Sequence, residues 1–277
     1  MLYDDYVRRF RAHERVAAIA SYGQVAEGGR EYPLLRVDVP GDRTLLVTTG
    51  FHGEEQAGPL TMLEYLPELV ARARELRVGL RIYPCINPSG FEAGTRYNRS
   101  GVGPNNDFLR YELGPGRWAG ELRPGQRFST WAEFAEGPQE TRALRRDLAG
   151  LPVPAAALDI HQDRYLAGAY HYAYVFGDRD DYRPLVERCR PLASVPAGYA
   201  VDEWHRAGDD GLVESHDGSV TDLFFRRGTR YLAALETTTG TPLPICHEVN
   251  RVWIRGFLEL AARSREGGGP ASPFRPR

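Results

Sequence analysis

Tyr6, Val7, Phe10, Val16, Ala17 and Ile19 recur at helical spacing, which predicts an amphipathic helix over residues 4–20. Two short extended runs flank Gly28-Gly29-Arg30 and predict a hairpin over residues 23–39. Apolar runs at 44–49, 78–83, 156–160, 171–176 and 231–235 read as strands. Helical patterns fill 59–76, 180–189 and 246–263. Strands that alternate with helices predict an α/β fold, a mixed, mainly parallel sheet of about eight strands flanked by helices. No repeat and no Pro/Ser-rich linker divides the chain, so residues 1–266 read as one domain. Residues 114–126 form a Gly/Pro-rich loop, and 267–277 read as a frayed tail.

The 277 residues, 42% hydrophobic and 26% charged, are ordinary for a globular protein. Lys+Arg 35 against Asp+Glu 37 leaves a net charge of -2, which argues against a nucleic-acid backbone as partner. No window approaches the ~18 consecutive apolar residues of a membrane span. Three widely spaced cysteines, Cys85, Cys189 and Cys246, suit neither a disulfide framework nor a cysteine zinc site. The opening residues include Asp4 and Asp5 and lack an apolar stretch, so a cytoplasmic protein is the expectation.

Candidate chemistry begins where the strand over 44–49 runs into Gly50-Phe51-His52-Gly53-Glu54-Glu55. The H-x-x-E spacing can aim an imidazole and a carboxylate at one ion, and two histidines with one glutamate are a known catalytic zinc set. The third ligand must then come from another strand end. His161, in Leu158-Asp159-Ile160-His161, closes an apolar strand and is the best candidate. Asp159, two residues earlier on the same strand face, can orient its ring. Taken alone H-x-x-E also suits a surface turn. The long polar segment 87–108 adds weight, because a loop of this length in a compact domain is usually functional.

That segment, Asn87-Pro88-Ser89-Gly90 through Gly94-Thr95-Arg96-Tyr97-Asn98 to Asn105-Asn106-Asp107-Phe108, resembles the zinc carboxypeptidase pattern N-P-D-G…G-T-R-x-N…N-R-N-F. Gly50 to Glu55 resembles the family's G-x-H-G-x-E, Asp159-Ile160-His161 its D-x-H, and Ala234-Leu235-Glu236-Thr237 the strand end of its catalytic glutamate. The short bacterial murein peptide amidases are the nearest type. The resemblance implies one zinc per chain on His52, Glu55 and His161, with Glu236 as general base and Arg96 stabilising the oxyanion. It places Asn105 and Asn106 at the substrate, with Asn106 where the family has a carboxylate-gripping arginine; Arg99 or Arg110 could supply that charge. Gly103 and Ser89 replace two family aspartates. The segment from Gly211 to Asp222 resembles the family's specificity pocket without its tyrosine, and offers His216 and Thr221 to a polar or cationic substrate. The function implied is a metallohydrolase that cuts an amide at or near the end of a small peptide or acyl-amino acid. N-acyl amino-acid deacylases of the succinylglutamate desuccinylase and aspartoacylase type are the alternative, though they usually carry an extra β-rich domain. A non-catalytic zinc-binding relative is the third reading.

Overall fold

The computed structural model of the protein describes residues 1–264. The tail expected at 267–277 lies outside the described residues. The first helix, α1 (Tyr3–Arg11), buries Tyr3, Tyr6 and Phe10. It stops well short of residue 20. Ala12, His13 and Glu14 close it in tight turns back to Arg9, Phe10 and Arg11. Ala18, Ile19 and Ala20 pair instead with Asp38, Val37 and Arg36, so strand pairing overrides the helical stripe. The resulting hairpin joins β1 (Ala18–Glu27) to β2 (Arg30–Val39). Its turn residues Gly28 and Gly29 both have positive φ, 59° and 77°, as a two-residue turn between twisted strands requires.

The chain continues through β3 (Arg43–Thr49), α2 (Ala57–Glu75), β4 (Val78–Tyr83) and the short α3 (Pro88–Ala93). A small three-stranded sheet of β5 (Leu109–Gly114), β6 (Arg117–Ala119) and β7 (Thr130–Glu133) comes next. The predicted loop over 114–126 therefore contains strand β6, paired antiparallel to β5. Then follow α4 (Gln139–Leu148), β8 (Ala156–Asp163), β9 (His171–Phe176), α5 (Arg183–Cys189), β10 (Leu212–Val213), α6 (Val220–Arg226), β11 (Tyr231–Thr238) and α7 (Leu243–Arg263).

The main sheet has eight strands in the order β1-β2-β4-β3-β8-β11-β9-β10. It is mixed: β4, β3, β8 and β11 run parallel to one another, as do β9 and β10, and the other neighbours are antiparallel. Leu45 and Val47 of β3, Leu158 and Ile160 of β8 and Leu235 of β11 pack in one core with Trp253 and Phe257 of α7. The alternate residues Leu46, Ala157 and Leu232 pack in a second core with Leu144 of α4 and Leu223 of α6. Continuing that second alternation along β8 gives Asp159, His161 and Asp163, and along β11 gives Glu236. The site therefore lies where the central parallel strands end and the second core gives way to polar side chains. Among the described residues no helix is long and apolar enough to cross a membrane.

Candidate metal centre

His52 and Glu55 occupy the tight connection between β3 and α2. Gly50 has φ 70°, which turns the chain out of β3. A Cβ at Gly53 would lie 1.9 Å from the Gly90 carbonyl carbon, so only glycine lets this turn dock on α3. Gly53 N–H donates to the Arg96 carbonyl at 3.3 Å, and the Asn87 side chain caps α3 at Gly90 N. Two of the sequence motifs are thus locked together through backbone.

The candidate ligands converge on one carboxylate. His52 Nδ1 lies 2.7 Å from Glu55 Oε1, and His161 Nδ1 lies 2.9 Å from Glu55 Oε2. The three ligand atoms lie within 4.8 Å of one another, and all three residues are buried. Asp159 Oδ2 is 2.8 Å from His161 Nε2, while its Oδ1 accepts from Thr48 Oγ1 at 2.8 Å and Ile160 N at 3.0 Å. A carboxylate on Nε2 keeps the proton there and leaves the Nδ1 lone pair for the cluster. Glu55 Oε2 also accepts from Gln162 N at 3.1 Å.

Charges at the centre are strongly coupled. Burial opposes the Glu55 carboxylate, but His52 and His161 outweigh it and hold its pKa well below the usual range. Burial likewise opposes the His161 imidazolium, and Asp159 and Glu55 overcome it, raising its pKa well above the ordinary value. Once His161 gives up its Nδ1 proton, two imidazoles and one carboxylate are a donor set that fits a zinc ion.

Glu236 sits directly across the sheet from His161, and on its other side from Tyr172. Its Oε2 is enclosed and has no hydrogen-bond partner. Burial pushes its pKa well up, with Glu55, Asp163 and Asp159 adding to the effect and His161 opposing it. Arg96 NH1 is 3.1 Å from Glu55 Oε1 and 3.6 Å from Glu54. The centre opens on a cavity of about 600 Å³, within the ordinary range for a small-molecule site.

His52, Glu55, His161, Glu236, Arg96, Asn105 and Asn106 all line this cavity. His216 and Thr221 do not. The His216 ring is stacked on Phe225 and packed against Phe176, with Nδ1 3.2 Å from Asp222 Oδ1. Thr221 is buried and bonded to Ser219. Both belong to the support around Asp222, which also accepts from Tyr111. Arg99 pairs with Glu92, and Arg110 pairs with Asp107 over the Phe134 ring; neither reaches the cavity lining. The arginine that does, besides Arg96, is Arg164, paired with Glu54 at 3.1 Å. Sequence reasoning missed it, together with Tyr172, Tyr174, Asp202 and Asp217. The alternation of Tyr172 and Tyr174 beside the strand of Glu236 is the one signal that could have found the tyrosines.

No family model matches the sequence, and no curated protein does. Solved structures do match in fold. An inferred metallopeptidase of Shewanella denitrificans OS217 aligns with a TM-score of 0.71 and 23% identity, covering 94% of this chain and 90% of that one. A metallo-carboxypeptidase of Burkholderia cenocepacia aligns with a TM-score of 0.63 and 14% identity over 93% of this chain and 68% of that one. A metallo-carboxypeptidase of Pseudomonas aeruginosa, solved with (2-guanidinoethylmercapto)succinic acid, gives 0.59 and 16% over 95% and 69%. The chain has a zinc carboxypeptidase-like fold.

Proposed function

We propose that the protein is a zinc-dependent hydrolase that cleaves an amide bond at or near the end of a small peptide or acyl-amino acid. The observation that carries this reading is the convergence of His52 and His161 on the two oxygens of Glu55, beside a cavity into which Glu236 brings a carboxylate with an unpartnered oxygen. The metallo-carboxypeptidases of like fold support the same bond class. A zinc ion held by His52, Glu55 and His161 would supply Lewis acidity for the amide carbonyl and acidify water. Glu236 takes the proton of the attacking water and passes it to the leaving nitrogen. Arg96, held beside Glu55, donates to the oxyanion that forms. Asp159 holds the His161 ring in place. Asn105, with an enclosed and unpartnered Oδ1, positions the substrate. His216 and Thr221 brace the wall from behind.

A free terminal carboxylate is not required in this reading, because the Asn106 amide is turned onto Asp217. The test is Glu236→Gln, which keeps size and removes the proton acceptor. Zinc content should stay at the wild-type level while turnover on amide substrates falls by about 10²–10⁴-fold. Turnover within a few-fold of wild type would remove Glu236 from the mechanism.

A further inference from the structure

Away from the His–Glu–His cluster the cavity is walled by the carboxylates of Glu121, Asp163, Asp202, Glu203 and Asp217. Its two arginines, Arg96 and Arg164, are both paired with Glu54, and His205, the other basic side chain of the lining beyond the cluster, is paired with Asp202 at 2.9 Å, which leaves Glu121, Asp163, Glu203 and Asp217 without a basic partner among the described residues. The hydrogen bonds of the wall run in one direction. Tyr172 Oη donates to Asp163 Oδ2 and Tyr174 Oη to Asp202 Oδ2, each at 3.0 Å. Asn106 Nδ2 donates to Asp217 at 3.0 Å (carbonyl) and 3.1 Å (carboxylate). Trp204 Nε1 donates to Glu121 Oε1 at 3.3 Å. A phenol or an indole has a single N–H or O–H to give, so each of these three rings spends its donor on the wall itself. What the tyrosines and carboxylates still offer to the cavity is lone pairs.

An acceptor-rich, negatively charged wall repels a carboxylate and matches a group made only of donors. A primary ammonium supplies three donors and no acceptor. Asp217 strengthens the match. Burial and the nearby Asp222 charge raise its pKa, a cost that a cation at the wall would relieve.

We propose that this wall is a cation subsite, and that the substrate of the amide-hydrolase site carries a protonated amine seated against Asp217, Glu121 and the Tyr172–Asp163 and Tyr174–Asp202 pairs. The proposal rests on the hydrolase reading for the bond that is cut, and on the wall alone for the group that is recognised. Where the position of Asn106 suggests a lost carboxylate grip, the subsite exchanges the charge it selects.

Equilibrium binding separates the two. n-Pentylammonium and 1-pentanol are titrated calorimetrically into the zinc-loaded protein at pH 7, and into its Asp217→Asn and Glu121→Gln variants. Hydrogen bonds from a charged group contribute about 1.5–3 kcal/mol, or roughly one to two decades in affinity. The amine should bind at least tenfold more tightly than the alcohol, and each variant should lose most of that margin. Glu121 is exposed, so its variant reports on the wall even if the Asp217 change disturbs folding. Equal binding of amine and alcohol overturns the subsite, as does amine binding unchanged in both variants, which would place the amine on the metal. The same preparations are assayed on a neutral acetylated dipeptide and on its lysine-containing counterpart. Amine selectivity without hydrolysis of either supports the subsite and removes the hydrolase reading; hydrolysis without amine selectivity does the reverse.

Discussion

Glu27 and Glu140 are buried on either side of the Asn98 amide, within the segment that also carries Arg96. Asn98 Nδ2 reaches Glu140 Oε1 and Oε2 at 3.2 and 3.3 Å and Glu27 Oε1 at 3.4 Å. Burial raises the Glu140 pKa, with Glu27 adding to it and Asn98 opposing. A carboxyl raised in the folded state binds its proton more tightly there than in the unfolded chain. Stability from this group is therefore fully present below its unfolded pKa and is lost as pH rises through its folded pKa. Glu140→Gln keeps an oxygen for Asn98 and removes the charge. Thermal unfolding should find the variant more stable than wild type at pH 8, with the gain gone by pH 4. A variant that is less stable at both pH values would show the charge to be well compensated. At this scale the sequence is legible where chemistry restricts the residue type. His52, Glu55, His161 and Glu236, the residues proposed for metal ligation and proton transfer, stand out because such chemistry uses few side chains and these follow or close strands. Tyr172 and Tyr174 do not, because a tyrosine on a strand reads first as core. His216 was expected at the substrate, but packing on Phe225 and Phe176 decides where its ring lies.

Elements were legible in proportion to their apolar patterning. The central strands β3, β4, β8, β9 and β11 are mostly buried, β8 at every position. Helix α4 is written as QETRALRRDL, so the buried Ala143, Leu144 and Leu148 are masked by the charges around them. Helix α6 has one short turn-and-a-half of pattern, and β10 two residues. The close approach of the β3–α2 turn to α3 is invisible in sequence except as glycine. Gly53→Ala tests it. With Gly90 backbone only 1.9 Å from the new Cβ, neither side can yield by a rotamer change. Overpacking of this kind costs about 1–3 kcal/mol and occasionally more, and the backbone contact puts this site at the upper end. Denaturant unfolding should show that loss together with weakened metal binding; a variant as stable as wild type with full metal would mean the two motifs separate freely.

For the whole molecule, the fold explains why residues so far apart in the chain meet. Parallel β3, β8 and β11 end on the same edge, and the registers place Glu236 beside His161 and Thr48 beside Asp159. One face of these strands fills the core with α7, and the other carries the polar chemistry once its apolar residues stop. A metal held by His52, Glu55 and His161 would tie the β3–α2 connection to β8, so the central claim stands on metal content. Purified wild-type protein, measured by elemental analysis, should hold close to one zinc per chain. His52→Ala and His161→Ala should each lose most of it, while Glu236→Gln keeps it. Full zinc occupancy in both histidine variants would contradict the site.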